Sequence, residues 1–336
     1  MGATICTSRL PIPMQIHQTI GMSGDHERLA RPLRVAIVGL GKIARDAHLP
    51  AIAENSDFDL VATVDPRGGW RDHPAFHSLD HLLESGISID AVSICTPPDV
   101  RFGLAARAIA RGIAVMLEKP PAVSVAEAKE LERRAVASKV GLFTAWHARM
   151  APGLAPARNA LADRTITSGR VVWREDVRQW HPGQEWIFGE AGFGVFDPAI
   201  NAISLLTAID PSLSMLRSRL FIPAGRASPI RAEIALRGSA GGTIDCSFDF
   251  LWPGEPLWTI ELSTNSRTVT LEEGAHRLAI DGNPVNLPDG DEYGGLYRKF
   301  AHVARRGIAE CDVTPLALVE RCLTDGARFS TRPFGF

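Results

Sequence analysis

The stretch Leu33-Arg-Val-Ala-Ile-Val-Gly39-Leu-Gly41-Lys-Ile-Ala44 joins a short apolar run to a glycine-rich turn. An apolar run that ends in glycine is typical of a buried parallel strand. Gly39 allows a tight turn, and Gly41 lets backbone N–H groups approach a pyrophosphate at the start of a helix. Ala44 is small enough for that helix to pack closely on the strand. The stretch predicts a dinucleotide-binding βα unit; the alternative is a glycine-rich turn without a ligand.

Strand-like and helical segments alternate from this point to about residue 150. The strands are predicted at 58–64, 89–95, 113–117 and 140–146, and the helices from about 42 (with Pro50 expected to interrupt it), at 99–112 and at 124–138. This alternation requires βαβ units and a parallel sheet covered on both faces. We therefore predict an α/β fold in which residues 33–150 form a Rossmann NAD(P)-binding domain.

The pattern changes after residue 150, where strand-like segments follow one another. Strands are predicted at 169–176 and within 214–286, with turns at Gly241-Gly242, Asp281-Gly282 and Asp289-Gly290, and helices at 197–207, 292–306 and 314–328. Residues 151–336 are predicted to form an α+β substrate-binding domain on an open, mostly antiparallel sheet, with C-terminal helices. Residues 1–32 are polar, are broken by prolines and show no secretory signal pattern, so they predict a poorly structured extension.

Composition narrows the classes of function and partner. The 336 residues are 45% hydrophobic and 22% charged with a net charge of −2, which gives no electrostatic basis for binding nucleic acid or an anionic membrane. The sequence contains no apolar run of about 18 residues. The five cysteines are scattered and show no metal-ligand spacing, so we expect free thiols, no metal and a cytoplasmic location.

An acidic residue ends the second predicted strand. Asp65 stands where a carboxylate hydrogen-bonds the adenosine ribose, and it would repel a 2′-phosphate. NAD is therefore favoured over NADP, although Arg67 and Arg71 are close enough to soften the repulsion. The alternative for Asp65 is an ordinary turn aspartate. Lys42 and Ile43, at the start of the first helix, are also expected beside the cofactor.

Two proline-stiffened segments, Cys95-Thr-Pro-Pro98 and Glu118-Lys-Pro-Pro121, follow buried strands. Ligands bind at the carboxyl ends of parallel strands, so both segments are expected at the cleft. A lysine at a strand end is usually solvated, but the apolar strand before Lys119 and the proline after it indicate a fixed position. The residues expected to contact the cofactor here are Thr96, Pro97, Glu118 and Lys119.

The glycine-rich turn, Cys-Thr-Pro-Pro and Glu-Lys-Pro, at these separations, resemble the Gfo/Idh/MocA family of sugar and inositol oxidoreductases. Two stretches in the second half are more specific: Trp173-Arg-Glu-Asp-Val-Arg-Gln-Trp-His-Pro-Gly-Gln-Glu-Trp-Ile187 and Gly194-Val-Phe-Asp-Pro-Ala-Ile-Asn-Ala-Ile-Ser204. They resemble the branch of aldose 1-dehydrogenases that act on D-galactose and L-arabinose. The resemblance runs from about residue 33 almost to the C-terminus.

The resemblance implies oxidation of C1 of D-galactose, L-arabinose or D-fucose to the lactone, with the sugar between two domains. It implies that Lys119 bridges the cofactor and a sugar hydroxyl. Most family members carry Asp-x-x-x-His on a helix, whereas this chain has Asp197 and Asn201. Asparagine cannot take a proton at neutral pH, so Asp197 is the better candidate base. The same substitution is expected in the galactose and arabinose branch.

The residue types themselves are compatible with this chemistry. Asp197 and Asn201 are four apart and share one helix face, although Asp197 before Pro198 could instead cap the helix. The segment from Glu175 to Trp186 is rich in hydroxyl-binding and aromatic side chains. Alternatively, its tryptophans are core residues and Arg178 pairs with Glu175. The expected sugar-binding residues are Glu175 and His181 first, then Trp180 and His147, for which a structural role is the alternative.

Two other functions stay open. The chain could be a family oxidoreductase acting at another sugar or polyol hydroxyl, or a non-catalytic regulator that senses a sugar or a dinucleotide on the same scaffold. A regulator would have little need for both Lys119 and Asp197. We also expect a homodimer formed through the second-domain sheet.

Overall fold

The computed structural model describes residues 31–238 and 241–336, and residues 32–336 form one compact unit. The predicted extension at 1–32 therefore lies almost wholly outside the described residues. In chain order the strands are β1 (Leu33–Val38), β2 (Phe58–Val64), β3 (Ala75–Phe76), β4 (Ala91–Ile94), β5 (Ala114–Glu118), β6 (Leu142–Ala145), β7 (Ile166–Arg174), β8 (Ser214–Pro223), β9 (Arg231–Arg237), β10 (Thr243–Asp249), β11 (Leu257–Thr264), β12 (Thr268–Glu272), β13 (Arg277–Ile280), β14 (Asn283–Pro284), β15 (Ala309–Glu310) and β16 (Ala327–Thr331). The α-helices are α1 (Leu49–Ala53), α2 (Leu79–Glu84), α3 (Pro98–Ala110), α4 (Val125–Ser138), α5 (Leu154–Leu161), α6 (Val177–Trp180), α7 (Phe196–Ile209), α8 (Glu292–Arg306) and α9 (Thr314–Asp325).

The first sheet is seven-stranded and parallel, in the order β15-β6-β5-β4-β1-β2-β3. Every residue of β4, β5 and β6 is buried, as expected for strands covered on both faces. The strand order reverses between β1 and β4, because the chain adds β2 and β3 on one side of β1 and β4, β5 and β6 on the other. The carboxyl ends around that point carry the glycine-rich turn and the two proline segments. The predicted Rossmann fold is confirmed.

The helix after the glycine-rich turn begins at Lys42 and runs to Ala53, with a π-helical turn at Ala44–His48. Pro50 lies within the first turn of α1. The prediction that Pro50 interrupts this helix is wrong. Proline lacks the N–H for the usual backbone bond, and the wider π turn just before it absorbs the irregularity so that the helix continues.

The second sheet is nine-stranded, in the order β14-β13-β12-β11-β7-β10-β9-β8-β16. Neighbouring strands are antiparallel except β7 with β10 and β8 with β16, so the predicted mostly antiparallel sheet is confirmed. Asp281 and Gly282 have φ angles of +52° and +77° and form the two-residue turn between β13 and β14. α7 packs on one face of this sheet and is buried along most of its length.

Two features of the C-terminal third differ from the expectations. The predicted helix at 314–328 ends at Asp325, because Gly326 stops it and Ala327–Thr331 pairs with β8. α8 and β15 return to the first sheet, where Leu296, Tyr297 and Phe300 pack against β1, β2 and β6. The division of the chain at residue 150 stays a prediction.

In the described ranges, no helix is long and apolar enough to cross a membrane.

Candidate functional site

The glycine-rich turn has the geometry that a pyrophosphate site needs. Gly39 has a φ of +93°, and a Cβ there would lie 2.9 Å from the backbone N of Thr96. A Cβ at Gly41 would meet nothing within 4 Å, so its missing side chain leaves open space beside the helix N-terminus. The hydroxyl of Thr96 is buried and has no hydrogen-bond partner among the described residues. These features fit a bound dinucleotide.

Asp65 lies at the end of β2, with its side chain 5% exposed. It accepts a hydrogen bond from the Leu40 N–H at 2.8 Å, which ties it to the glycine-rich turn. Arg67 donates to both carboxylate oxygens, from Nε at 3.1 Å and from Nη2 at 3.2 Å. Burial alone would raise the pKa of Asp65, but these hydrogen bonds hold it below its usual range. Asp65 is therefore a fixed negative charge with a guanidinium beside it.

Arg101 joins the two proline segments, and sequence reasoning missed it. The side chain is buried on α3, where its Nε donates to the Thr96 carbonyl at 2.7 Å and its Nη1 to the Glu118 carbonyl at 2.6 Å. Nη1 also contacts the carbonyl of Pro120. Pro97 occupies the N-cap position of α3. One guanidinium thus fixes the backbone on both sides of Lys119.

Lys119 and Asp197 meet where the first sheet faces α7. The Lys119 Nζ donates to the Asp197 main-chain carbonyl at 2.9 Å and lies 3.5 Å from Asp197 Oδ1. The two side chains are only 13% and 6% exposed, so their charges interact with little screening by water. Asp197 lies within the first turn of α7, whose N-cap position is Val195. The alternative that Asp197 caps the helix is wrong.

Two predicted sugar-binding residues, Glu175 and His181, adjoin this pair. His181 Nε2 lies 3.8 Å from Asp197 Oδ2 and 3.8 Å from Glu175 Oε1. Trp258, on β11, donates its indole N–H to Glu175 Oε2 at 2.9 Å. Arg178 pairs with Asp176, so its alternative pairing with Glu175 is wrong. Trp186 packs against the hydrophobic core, as the other part of that alternative expected.

The surroundings of Glu175 change its protonation. Burial raises the pKa of the Glu175 carboxyl to about 7, and the nearby Asp197 carboxylate adds to the rise. The Trp258 hydrogen bond and the Lys119 charge oppose it. Burial also lowers the pKa of His181, which favours a neutral imidazole near pH 7.

Two buried polar atoms near these residues lack partners among the described residues: the indole N–H of Trp180 and the amide Oδ1 of Asn201. The Trp180 ring lies 5.5 Å from the Trp258 ring. Unsatisfied buried polar groups are rare and costly unless a ligand satisfies them. A sugar hydroxyl can donate to the Asn201 oxygen and accept from the Trp180 N–H.

His147 begins a short helical turn after β6. Its Nδ1 lies 2.5 Å from Glu292 Oε2, and its ring stacks on Tyr293 with centroids 5.4 Å apart. Glu292 also binds His276. The contact with the Glu292 carboxylate makes Nδ1 a donor and fixes the orientation of the His147 ring.

Of the remaining predicted cofactor residues, Lys42 pairs with Asp46 on the surface and Ile43 is 38% exposed beside the glycine-rich turn. Glu118 is different, because both of its carboxylate oxygens bind groups of the protein itself. Its side chain therefore faces a buried network and not the open space at Gly41. Among the described residues, no group of three or more His, Cys, Asp or Glu side chains is placed to hold a metal ion.

Comparisons with known proteins identify the family of this chain and several relatives. The Gfo/Idh/MocA model, described as an oxidoreductase family with an NAD-binding Rossmann fold, matches residues 33–145. The galactose 1-dehydrogenase of Pseudomonas fluorescens is 37% identical over 306 residues, which cover 90% of this chain and 99% of that protein. The D-glucoside 3-dehydrogenase of Escherichia coli (strain K12) is 30% identical over 170 residues, or 44% of this chain and 46% of that protein.

Solved structures with the same fold include another D-galactose-1-dehydrogenase protein. The crystal structure of a D-galactose-1-dehydrogenase protein from Rhizobium etli is 40% identical, with a TM-score of 0.86, covering 91% of this chain and 98% of that one. A 3-ketoreductase from Actinomadura kijaniata, crystallised with NADP and TDP-benzene, is 16% identical with a TM-score of 0.79, covering 89% and 99%. That second likeness concerns the fold alone.

Proposed function

This chain belongs to the Gfo/Idh/MocA oxidoreductase family, and we propose that it oxidises C1 of an aldose, namely D-galactose, L-arabinose or D-fucose, to the lactone. Similarity to galactose 1-dehydrogenase over nearly the whole of that protein supports the substrate class. The observation that carries the proposal is the buried Lys119–Asp197 pair. The His181 imidazole lies 3.8 Å from the Asp197 carboxylate and 3.8 Å from the Glu175 carboxylate, so all four side chains are grouped at one place.

Oxidation of a cyclic aldose breaks the C1–H and O1–H bonds and forms the C1 carbonyl. Bound NAD supplies the hydride acceptor for C1. Asp197 is the base that takes the O1 proton, and its burial keeps bulk water from competing for that site. Lys119 holds the Asp197 carboxylate in place and donates to a sugar hydroxyl. Asn201 accepts a hydrogen bond from another hydroxyl, His147 hydrogen-bonds a further one, and Trp180 covers an apolar face of the ring.

The direct test of this function is the initial rate of absorbance increase at 340 nm with a panel of aldoses. We expect reduction of NAD with D-galactose, D-fucose and L-arabinose, and a much lower rate with D-glucose, whose C4 hydroxyl has the opposite configuration. Discrimination between D-galactose and L-arabinose should be modest, because a missing hydroxymethyl group changes the rate by only about 10–200-fold. NADH binding without turnover of any aldose would contradict the proposal.

Asp65 should control the choice between NAD and NADP. Asp65→Asn removes a buried negative charge and frees the Arg67 guanidinium, so it should raise kcat/KM for NADP relative to NAD about tenfold or more. Asp72→Asn, at an exposed position in the same loop, is the control and should leave the ratio unchanged. A ratio in Asp65→Asn equal to that of the unaltered protein would mean that the carboxylate does not face the adenosine ribose.

Glu175 should give the reaction a pH dependence near neutrality. Its pKa of about 7 means that the carboxyl is protonated below this pH and charged above it. The carboxylate accepts hydrogen bonds from sugar hydroxyls better than the acid does, so kcat/KM for the sugar should rise as pH increases through about 7. Glu175→Gln should abolish this rise, whereas Glu185→Gln in the same segment should keep it. A rise that persists in Glu175→Gln would assign it to another group.

The assembly and location are further proposals. We propose a homodimer through the second sheet, supported by Phe329, which is 39% exposed on edge strand β16 and stacks on Phe221. Light scattering that gives the mass of a monomer would contradict the dimer.

The four cysteines in the described ranges are buried and free, which supports a reducing compartment such as the cytoplasm.

A further inference from the structure

A buried polar network lies directly behind Lys119 and has no part in the chemistry described above. Glu118 Oε1 accepts from His48 Nε2 at 3.0 Å and from the Tyr293 hydroxyl at 2.8 Å, while Oε2 accepts from the Lys119 backbone N–H at 2.8 Å. The other nitrogen of His48 lies 2.9 Å from the Tyr297 hydroxyl. Glu118 is 2% exposed and His48 is fully buried. Both carboxylate oxygens are therefore used within the protein.

The network connects three separate parts of the site. His48 ends the π turn that follows the glycine-rich loop, and Glu118 is the residue before Lys119. Tyr293 and Tyr297 lie on α8, whose first residue, Glu292, binds His147. The sequence contains two tyrosines in total, and both belong to this network. One buried carboxylate thus links the dinucleotide loop, the Lys119 segment and the helix behind His147.

The network is held together by charge as well as by hydrogen bonds. Burial alone would raise the pKa of Glu118, but the hydrogen bond and charge of His48 and the charge of Lys119 bring it below the ordinary value. Glu118 is therefore a carboxylate, and hydrogen bonds to a buried carboxylate are shorter and stronger than neutral ones. Such bonds restrict the backbone N–H of Lys119, from which the catalytic side chain extends.

We propose that His48 and Glu118 are positioning residues, which act through the Lys119 backbone to place its ammonium group against Asp197 and the sugar. This inference rests on the proposed function. Arg101 fixes the carbonyls around Lys119, while Glu118 fixes its N–H, so the segment is held from both sides. A displacement of about 1 Å at a reacting group is enough to lower a rate about 10²-fold.

The test compares His48→Leu with His48→Gln. Leucine removes the hydrogen bond to Glu118, whereas glutamine keeps an N–H donor near the position of Nε2. His48→Leu should lower kcat about 10–100-fold, with KM for the sugar and NADH affinity (by fluorescence titration) changed less than about threefold. His48→Gln should recover most of that loss. Glu118→Ala and Glu118→Gln form a second pair. The alanine variant should lose more of its kcat than the glutamine variant, which also disturbs the folded structure less.

A second readout does not require turnover. Lys119, which is 13% exposed and held against Asp197, should react slowly with an amine-directed reagent, as measured by peptide mass spectrometry. His48→Leu should increase that rate at Lys119 several-fold and leave the exposed Lys129 unchanged. Leu82→Ala is the control for lost stability, because it opens a cavity in a separate core cluster of the first sheet, away from Tyr297 and the other residues around His48. It should change neither kcat, per NADH-binding site, nor the reactivity of Lys119.

The two readouts separate the inference from the proposed function. If no aldose is oxidised but Lys119 still becomes more reactive in His48→Leu, the proposed function fails and the positioning role stands. If His48→Leu keeps full kcat and the original Lys119 reactivity, the positioning role is wrong. Equal losses in His48→Leu, His48→Gln and Leu82→Ala would also overturn it, because stability alone would then account for the effect.

Discussion

Asp197→Asn is expected to lower kcat about 10²–10⁴-fold, the range that a positioned general base contributes. Asparagine keeps the shape of the side chain and the helical backbone, but it cannot take the O1 proton. The same variant removes a negative charge that raises the pKa of Glu175, so the rise of kcat/KM with pH should move to lower pH. Initial rates across pH measure both effects.

Asp210→Asn is the matched control, because Asp210 follows the other end of α7 and contacts Ser212 far from the site. It should keep full kcat and the original pH profile. Near-normal turnover by Asp197→Asn would remove Asp197 as the base and would leave His181, which is 3.8 Å away, as the next candidate.

Lys119→Met is expected to lower kcat about 10²–10³-fold, a loss like that of removing one preorganised donor from an active site. Methionine has a similar length but cannot donate to Asp197 or to the sugar. Because the Lys119 charge lowers the pKa of Glu175, its loss should move the rise of kcat/KM to higher pH, opposite to the Asp197→Asn shift. Opposite shifts would identify Glu175 as the titrating group.

Lys129→Met, at an exposed position on α4, is the control for the loss of a lysine. NADH affinity of Lys119→Met should fall much less than kcat, because the glycine-rich turn and Asp65 remain intact. A variant that loses NADH binding and turnover equally would make Lys119 a cofactor-binding residue only.

The sequence predicts the parts of the fold whose causes are local. α8 has the predicted bounds of 292–306, since Asp291 caps its start and Gly307 ends it with a φ of +61°. β16 could not be predicted in this way, because the five-residue strand is stabilised by pairing with β8, more than a hundred residues earlier. The π turn before Pro50 likewise has no local signal in the sequence, and its last residue, His48, is buried against Glu118, which lies 70 positions later.

In the candidate site, too, only the features with local causes could be predicted from the sequence. The predicted cofactor residues Gly39, Gly41 and Asp65 follow from one motif, because they lie within a single βαβ unit. Lys119 and Asp197, which are 78 positions apart, were each expected at the sugar, but no local pattern in the sequence predicts the contact between them. Trp258 on β11 and Arg101 within α3 showed no pattern that set them apart from core residues. The pair of tyrosines four residues apart on α8 was a visible signal that the sequence reasoning did not use.

The central claim is that hydride leaves C1, and it is tested most directly with D-galactose that carries deuterium at C1. The account predicts that deuterium appears in the reduced nicotinamide, seen by NMR or mass spectrometry, and that the product is the unlabelled lactone or its hydrolysed acid. Deuterium retained at C1 of a keto sugar would place the oxidation at another hydroxyl and would contradict the account.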